Sequence, residues 1–296
     1  METTNLLNTC YETTNSLRVI AQYSHIIPII LSLTLAFFIF FKAKFNLFSK
    51  IFLAFVVSFC AWLVGDLITW TSNDYNLIYT VWSTLVYIEL IFFILGLYFV
   101  ITFVNERDIR WYKKVFFCGL LVVPFIITVT QQSVLGLNQS VCEAINNQFL
   151  DNYKLIVESG IGIIIFGYLV RAFFREQSRE DRKADIIVLS STLLFLSVFG
   201  VTEYIASITG IYEYNLYSLF ILPLFLIAII YSVFELDIFH FNMLGTHYLV
   251  VGLMILMTGQ LFFINSTTDQ FLTIITVLLT LGISILLYRN LKRESD

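Results

Sequence analysis

Four carboxylates fall inside long apolar runs of this sequence: Asp66, Glu89, Glu158 and Glu203. A charge in hydrocarbon is costly, so an acidic residue there must be protonated, paired or hydrated, and it marks a candidate functional site. Glu89 lies near the middle of its run. Ligand binding or proton coupling competes there with a plainer role, a neutral acid donating a hydrogen bond between helices. Asp66 has Trp62 four residues before it and Trp70 four after it, and at 3.6 residues per turn these share one helix face. Trp82 and Glu89, seven apart, also share a face. Carboxylates interleaved with indoles suit a cation-binding cage, because both attract positive charge. A belt of Trp at the membrane interface is the plainer reading of Trp70 and Trp82. The candidate ligand-binding set is therefore Asp66, Glu89, Glu203, Trp62, Trp70 and Trp82. Glu158 has Lys154 one turn before it, so a local ion pair near the interface is its plainer account. Glu203 lies toward the end of its run, where reaching water is the plainer account. No Lys or Arg is expected deep enough to neutralise the carboxylates nearer the middle.

Several chemistries have no residues to carry them. The seventh apolar run has no Lys for a retinal Schiff base. Gly160, Gly162 and Gly167 lack dinucleotide-loop spacing and suit close helix packing instead. Of the three histidines, His25 falls at the outer edge of the first run, and His240 and His247 flank a later turn. No nucleotide-binding motif accompanies them. No CxxC or His/Cys cluster suggests a metal. Cys60 and Cys118 read as packing residues. Cys10 and Cys142 fall where a disulfide could persist. No catalytic residue, metal ligand or cofactor is assigned, and the chain reads as a non-enzyme.

The elements that must hold these residues are membrane helices. Of 296 residues, 58% are hydrophobic and 13% charged, against about 25% charged in a soluble domain. Continuous apolar runs of about 20 residues span a bilayer as helices; barrel strands would alternate. Nine spans are expected, at 25–42, 51–70, 78–104, 115–131, 153–172, 185–207, 213–235, 247–265 and 270–288. Fifteen of the seventeen Lys and Arg residues then share one side; only Arg18 and Lys154 lie opposite. Basic loops stay cytoplasmic, which puts the N-terminus outside and the C-terminus inside. The N-terminal 24 residues are polar and lack the pattern of a cleavable signal peptide. Loop 132–152 lies outside and could fold over the outer face. Loop 171–185, with interleaved charges, reads as a solvated helical extension or as a docking site for a cytoplasmic partner. No basic module outside the bilayer supports nucleic-acid binding.

The end of the seventh run reads Tyr231-Ser232-Val233-Phe234-Glu235-Leu236-Asp237-Ile238-Phe239-His240-Phe241. It is similar to the close of the seventh span in the seven-helix N-terminal sensor region of bacterial histidine kinases. Ala61-Trp62-Leu63-Val64-Gly65 likewise resembles that family's Trp-bearing second span. The likeness covers roughly 20–245. The family's basic positions are acidic here, at Glu235 and Asp237. Its phosphorylated His helix and ATP-binding domain have no counterpart in these residues, so the resemblance implies a sensor module rather than a kinase.

The expected architecture is an all-α polytopic membrane protein. An extracytoplasmic segment (1–24) precedes a seven-helix sensor-like bundle (25–241) and a two-helix hairpin with a short basic tail (242–296). The expected function is a sensor or receptor-like module in a bacterial plasma membrane. It would bind an outside or membrane-borne ligand, a cation by the acidic set, and signal to a cytoplasmic partner. A homodimer is compatible with that reading. A small proton-coupled transporter and a structural membrane subunit are the alternatives.

Overall fold

The computed structural model describes residues 15–42, 46–138, 143–175 and 178–209, with single positions further on as far as 228. The chain divides into the units Met1–Phe239 and His240–Asp296, and the described residues belong to the first. Apart from those single positions, the spans expected at 213–235, 247–265 and 270–288 lie outside the described residues, as do Cys10 and Cys142. The described elements run α1 (Asn15–Lys42), α2 (Leu47–Thr71), α3 (Tyr75–Asn105), α4 (Trp111–Leu120), α5 (Val122–Val129), β1 (Val134–Asn138), β2 (Glu143–Asn146), α6 (Gln148–Phe174) and α7 (Arg179–Thr209). Five helical segments are long and apolar enough to cross a membrane: Leu47–Thr71, Tyr75–Asn105, Trp111–Val129, Gln148–Phe174 and Asp181–Thr209. The first helix adds a shorter apolar stretch, Ala21–Phe37. This is a helical membrane protein.

Local chemistry sets the helix starts. The first backbone N–H groups of a helix have no intrahelical partner, and a short side-chain acceptor supplies one. Asn46 accepts from the Ser49 amide at 2.8 Å, and Asp74 from the amides of Asn76 and Leu77. Asn147 accepts from the Phe149 amide at 3.0 Å, and Ser178 from the Asp181 amide at 3.1 Å. The last of these starts α7 inside the basic loop, so that loop continues the helix.

The fourth span is broken. Pro124 has no N–H to give the carbonyl four residues back, that of Leu120. The helix divides there into α4 and α5, and the Tyr153 hydroxyl of α6 donates to the Leu120 carbonyl at 2.7 Å. A side chain on the neighbouring span thus fills the vacancy that the proline creates. Cys118 on this span is exposed, not a packing residue, whereas Cys60 is buried.

The third helix is the hub. It contacts α2, α5, α6, α7 and β1. Between helices in lipid, burial gives little hydrophobic advantage, so close contact between surfaces must supply the attraction. At Gly65 a Cβ would stand 2.6 Å from Leu85 Cδ2, so the glycine leaves room for the Leu85 side chain between α2 and α3. Phenylalanines fill the interior: Phe52, Phe55 and Phe59 from α2, Phe92, Phe93 and Phe99 from α3, and Phe195 and Phe199 from α7. Phe59 meets Phe92, Phe195 and Phe199 edge to face at 5.2, 5.0 and 5.8 Å. Such pairs contribute about 0.5–1.5 kcal/mol each beyond area burial.

Loop 132–152 is not irregular. Its strands form an antiparallel hairpin with Val134 opposite Asn146 and Gly136 opposite Ile145. Val134 and Ala144 pack with Ile78, and Tyr75, Tyr79 and Trp82 close around them. The Tyr79 hydroxyl lies 2.9 Å from the Val134 carbonyl and 3.2 Å from that of Gln131. The hairpin is therefore seated on the first turns of α3, at the end of the bundle opposite the basic loop Arg107–Lys114.

Candidate functional site

The carboxylates on α3, α6 and α7 converge on one ammonium. Lys154 Nζ lies 3.0 Å from Glu89 Oε2 and 3.3 Å from Glu203 Oε1. Side-chain exposure is 8% for Lys154, 2% for Glu89 and 10% for Glu203, so the ions meet out of water. This corrects the expectation that no basic residue lies deep enough to neutralise Glu89. The Lys154 backbone sits near the start of α6, but its four-carbon stem carries the charge away from the helix end and into the bundle. It also corrects the local pairing expected for Lys154: the ammonium goes across to the neighbouring helices. Glu203 is buried rather than wetted, and the Asn215 amide donates to its second oxygen.

Glu158 completes the group. It lies one turn after Lys154 on α6, with Oε2 held against Gly200 of α7. Glu89, Lys154, Glu203 and Asp151 are its charged neighbours. Asp151 is engaged by the Ser207 hydroxyl at 2.8 Å, a second polar link between α6 and α7. Glu89 Oε1 and Glu158 Oε1 are both buried with no hydrogen-bond partner. Three buried carboxyls thus face one ammonium. Fully ionised, the group would hold two negative charges that nothing in it compensates, and burying unpaired charge is prohibitive. The arrangement can therefore take up positive charge as protons or as a bound cation. Among the described residues no group of three or more His, Cys, Asp or Glu is set to hold a metal ion.

Asp66 belongs to a different polar cluster. His25, fully buried on α1, places Nε2 2.9 Å from Asp66 Oδ2, while its Nδ1 lies 2.6 Å from the Ala21 carbonyl oxygen. A carbonyl can only accept, so Nδ1 donates to it and Nε2 is left facing the carboxyl. The sequence alone places His25 at the outer edge of the first run. The available signal was a lone His in the first span against a lone Asp in the next.

The three indoles separate. Trp62 is 2% exposed in the aromatic core, parallel to Phe59 and edge-on to Phe199 at 4.7 Å. Its Nε1 has no hydrogen-bond partner. Trp70 is half-buried near the end of α2, and Trp82 packs beside the hairpin. Of the six residues read as one site, Glu89 and Glu203 come together, Asp66 joins His25, and Trp62 and Trp82 serve packing. Lys154, Glu158, Asn215 and His25 complete the polar clusters. No family model, curated protein or solved structure matches the chain.

Proposed function

We propose that this protein is a membrane sensor module whose buried cluster of Glu89, Lys154, Glu158 and Glu203 reads a cation arriving from the outside. One observation carries the reading: three carboxyls from three helices face a single ammonium. Uptake of positive charge changes the forces between α3, α6 and α7, and so favours one of two helix arrangements. A ligand shifts such an equilibrium only by its differential affinity for the two states, and about 1–3 kcal/mol is a typical coupling. The signal would pass through the basic loops to a cytoplasmic partner. The resemblance to kinase sensor regions supports this direction of signalling, with the lipid bilayer as the surrounding partner.

The test is thermal unfolding of the purified protein against pH and a panel of small organic cations. A saturable stabilisation that Glu89→Gln abolishes is expected. An unchanged response in Glu89→Gln would remove the cluster from the site, and the same response lost in Asp66→Asn would move the site to the other polar cluster. The buried carboxyls also suit a proton-coupled carrier. Solute uptake into proteoliposomes under a pH gradient, lost in Glu89→Gln, would favour that second reading.

A further inference from the structure

The three carboxyls of the cluster are not equivalent. Glu203 receives two donors, the Lys154 ammonium and the Asn215 amide. Glu89 receives one, the same ammonium, at 3.0 Å. No ammonium, amide or hydroxyl within hydrogen-bond distance donates to the Glu158 carboxyl among the described residues. It is 7% exposed, so water does not compensate it. Its carboxyl neighbours in the cluster are Glu89 and Glu203, and Oε1 of both Glu158 and Glu89 is buried with no hydrogen-bond partner. Carboxylates buried side by side repel, and a proton on the one without a donor relieves the repulsion. Donor supply thus ranks the three, with Glu203 best served as an anion and Glu158 least.

Space around Glu158 argues against a larger occupant on the α7 side. A Cβ at Gly200 would stand 3.0 Å from Glu158 Oε2 and 3.4 Å from Phe93 Cζ, so even a methyl group would crowd the carboxyl there. A proton needs no cavity. The ionisable groups facing Glu158 are Glu89 from α3, Lys154 and Asp151 from its own helix, and Glu203 from α7. Of these, Lys154 is bonded to the other two glutamates, and Asp151 to Ser207.

We infer that Glu158 is a proton-binding site: it carries the exchangeable proton of the cluster and makes the proton the cation that the cluster recognises. The inference rests on the cluster being a cation site and names the cation. Protonation adds one hydrogen to a carboxylate oxygen and one positive charge to the group; release returns both to water. It needs no other reactant.

The experiment is infrared difference spectroscopy of the full chain in lipid, stepped from acidic to alkaline buffer. A carboxylic-acid carbonyl band that disappears on alkalinisation is expected in the wild type. It should be absent from Glu158→Gln and retained in Glu203→Gln. The amide mimics a neutral acid, so Glu158→Gln should also keep the acid-state melting temperature and lose the part of its pH dependence that follows the band. A band undiminished in Glu158→Gln overturns the inference. Should that variant not fold, Gly200→Ala keeps every ionisable group and displaces the carboxyl; a shifted band midpoint is expected, and a wild-type midpoint overturns the assignment. Stabilisation by methylammonium that is independent of pH would overturn the proton as the cation and leave the cation site standing. No response to either pH or methylammonium would overturn both.

Discussion

Lys154 decides the electrostatics of the bundle, and its role comes from reach rather than position. Placed by its Cα it is an interfacial lysine; placed by its Nζ it is the counter-ion of two helices. Removing one partner of a buried ion pair costs about 3–5 kcal/mol, because the other charge is stranded. Lys154→Met should destabilise the protein by about that much near neutral pH. The loss should shrink as the medium is acidified and protons replace the ammonium. Chemical denaturation at two pH values checks both statements. Outside the spans, Asp108 accepts from Lys114 at 2.6 Å and from the Tyr98 hydroxyl at 2.6 Å, and these bonds hold its carboxyl below the usual carboxylate range. The sign follows: the stabilisation is present above the ordinary Asp value and disappears as pH falls through the lowered one. The pair is exposed, so salt screens it and the effect is small. Asp108→Asn should lower stability slightly at neutral pH and low salt and leave it unchanged at strongly acidic pH, so the acidic limb of the profile flattens. The acidic residues were legible in the sequence because a carboxylate inside an apolar run stands out. Their pairing was not, because nothing along the chain says which faces of α3, α6 and α7 meet.

At the scale of elements, the helices were the most legible part. The span expected at 78–104 is α3, Tyr75–Asn105, and those at 51–70, 153–172 and 185–207 fall within α2, α6 and α7, whereas α1 begins at Asn15, ten residues before the span expected at 25–42. A continuous apolar run admits little else. The hairpin went unread because its two short strands owe their order to Ile78, Tyr79 and Trp82, more than fifty residues earlier. The break at Leu121 was half legible: Pro124 announces a missing donor, but the Tyr153 replacement comes from another helix. This gives a double-mutant test. Tyr153→Phe leaves the half-buried Leu120 carbonyl without its donor and should cost about 1 kcal/mol. Pro124→Ala restores a backbone donor at that carbonyl, so in its background the same Tyr153→Phe change should cost much less. Thermal unfolding of the four proteins measures the coupling. Equal costs in both backgrounds would assign Tyr153 to packing alone.

At the scale of the whole molecule, the charge asymmetry predicts the orientation. The hairpin end should face outside and the Arg107–Lys114 end the cytoplasm. With Cys10, Cys60, Cys118 and Cys142 all replaced, a single cysteine at Ile145 should react with a membrane-impermeant thiol reagent in intact cells. One at Arg107 should react only after the membrane is opened. The reverse pattern would invert the topology. The same outward placement gives the buried cluster an electrical character. Glu158 is five residues into the span expected at 153–172, about 7.5 Å of helix at 1.5 Å per residue, or about a quarter of a ~30 Å hydrocarbon layer. A proton reaching it from the hairpin end would fall through about a quarter of the membrane voltage. A full crossing is equivalent to about 2.3 kcal/mol per 100 mV, so a quarter is about 0.6. One pH unit corresponds to about 1.4 kcal/mol. Polarising the membrane by about 100 mV would therefore act on this protein much as acidifying the outside by about 0.4 pH unit does, and the cell's energisation and its surroundings would reach the bundle through one carboxyl group.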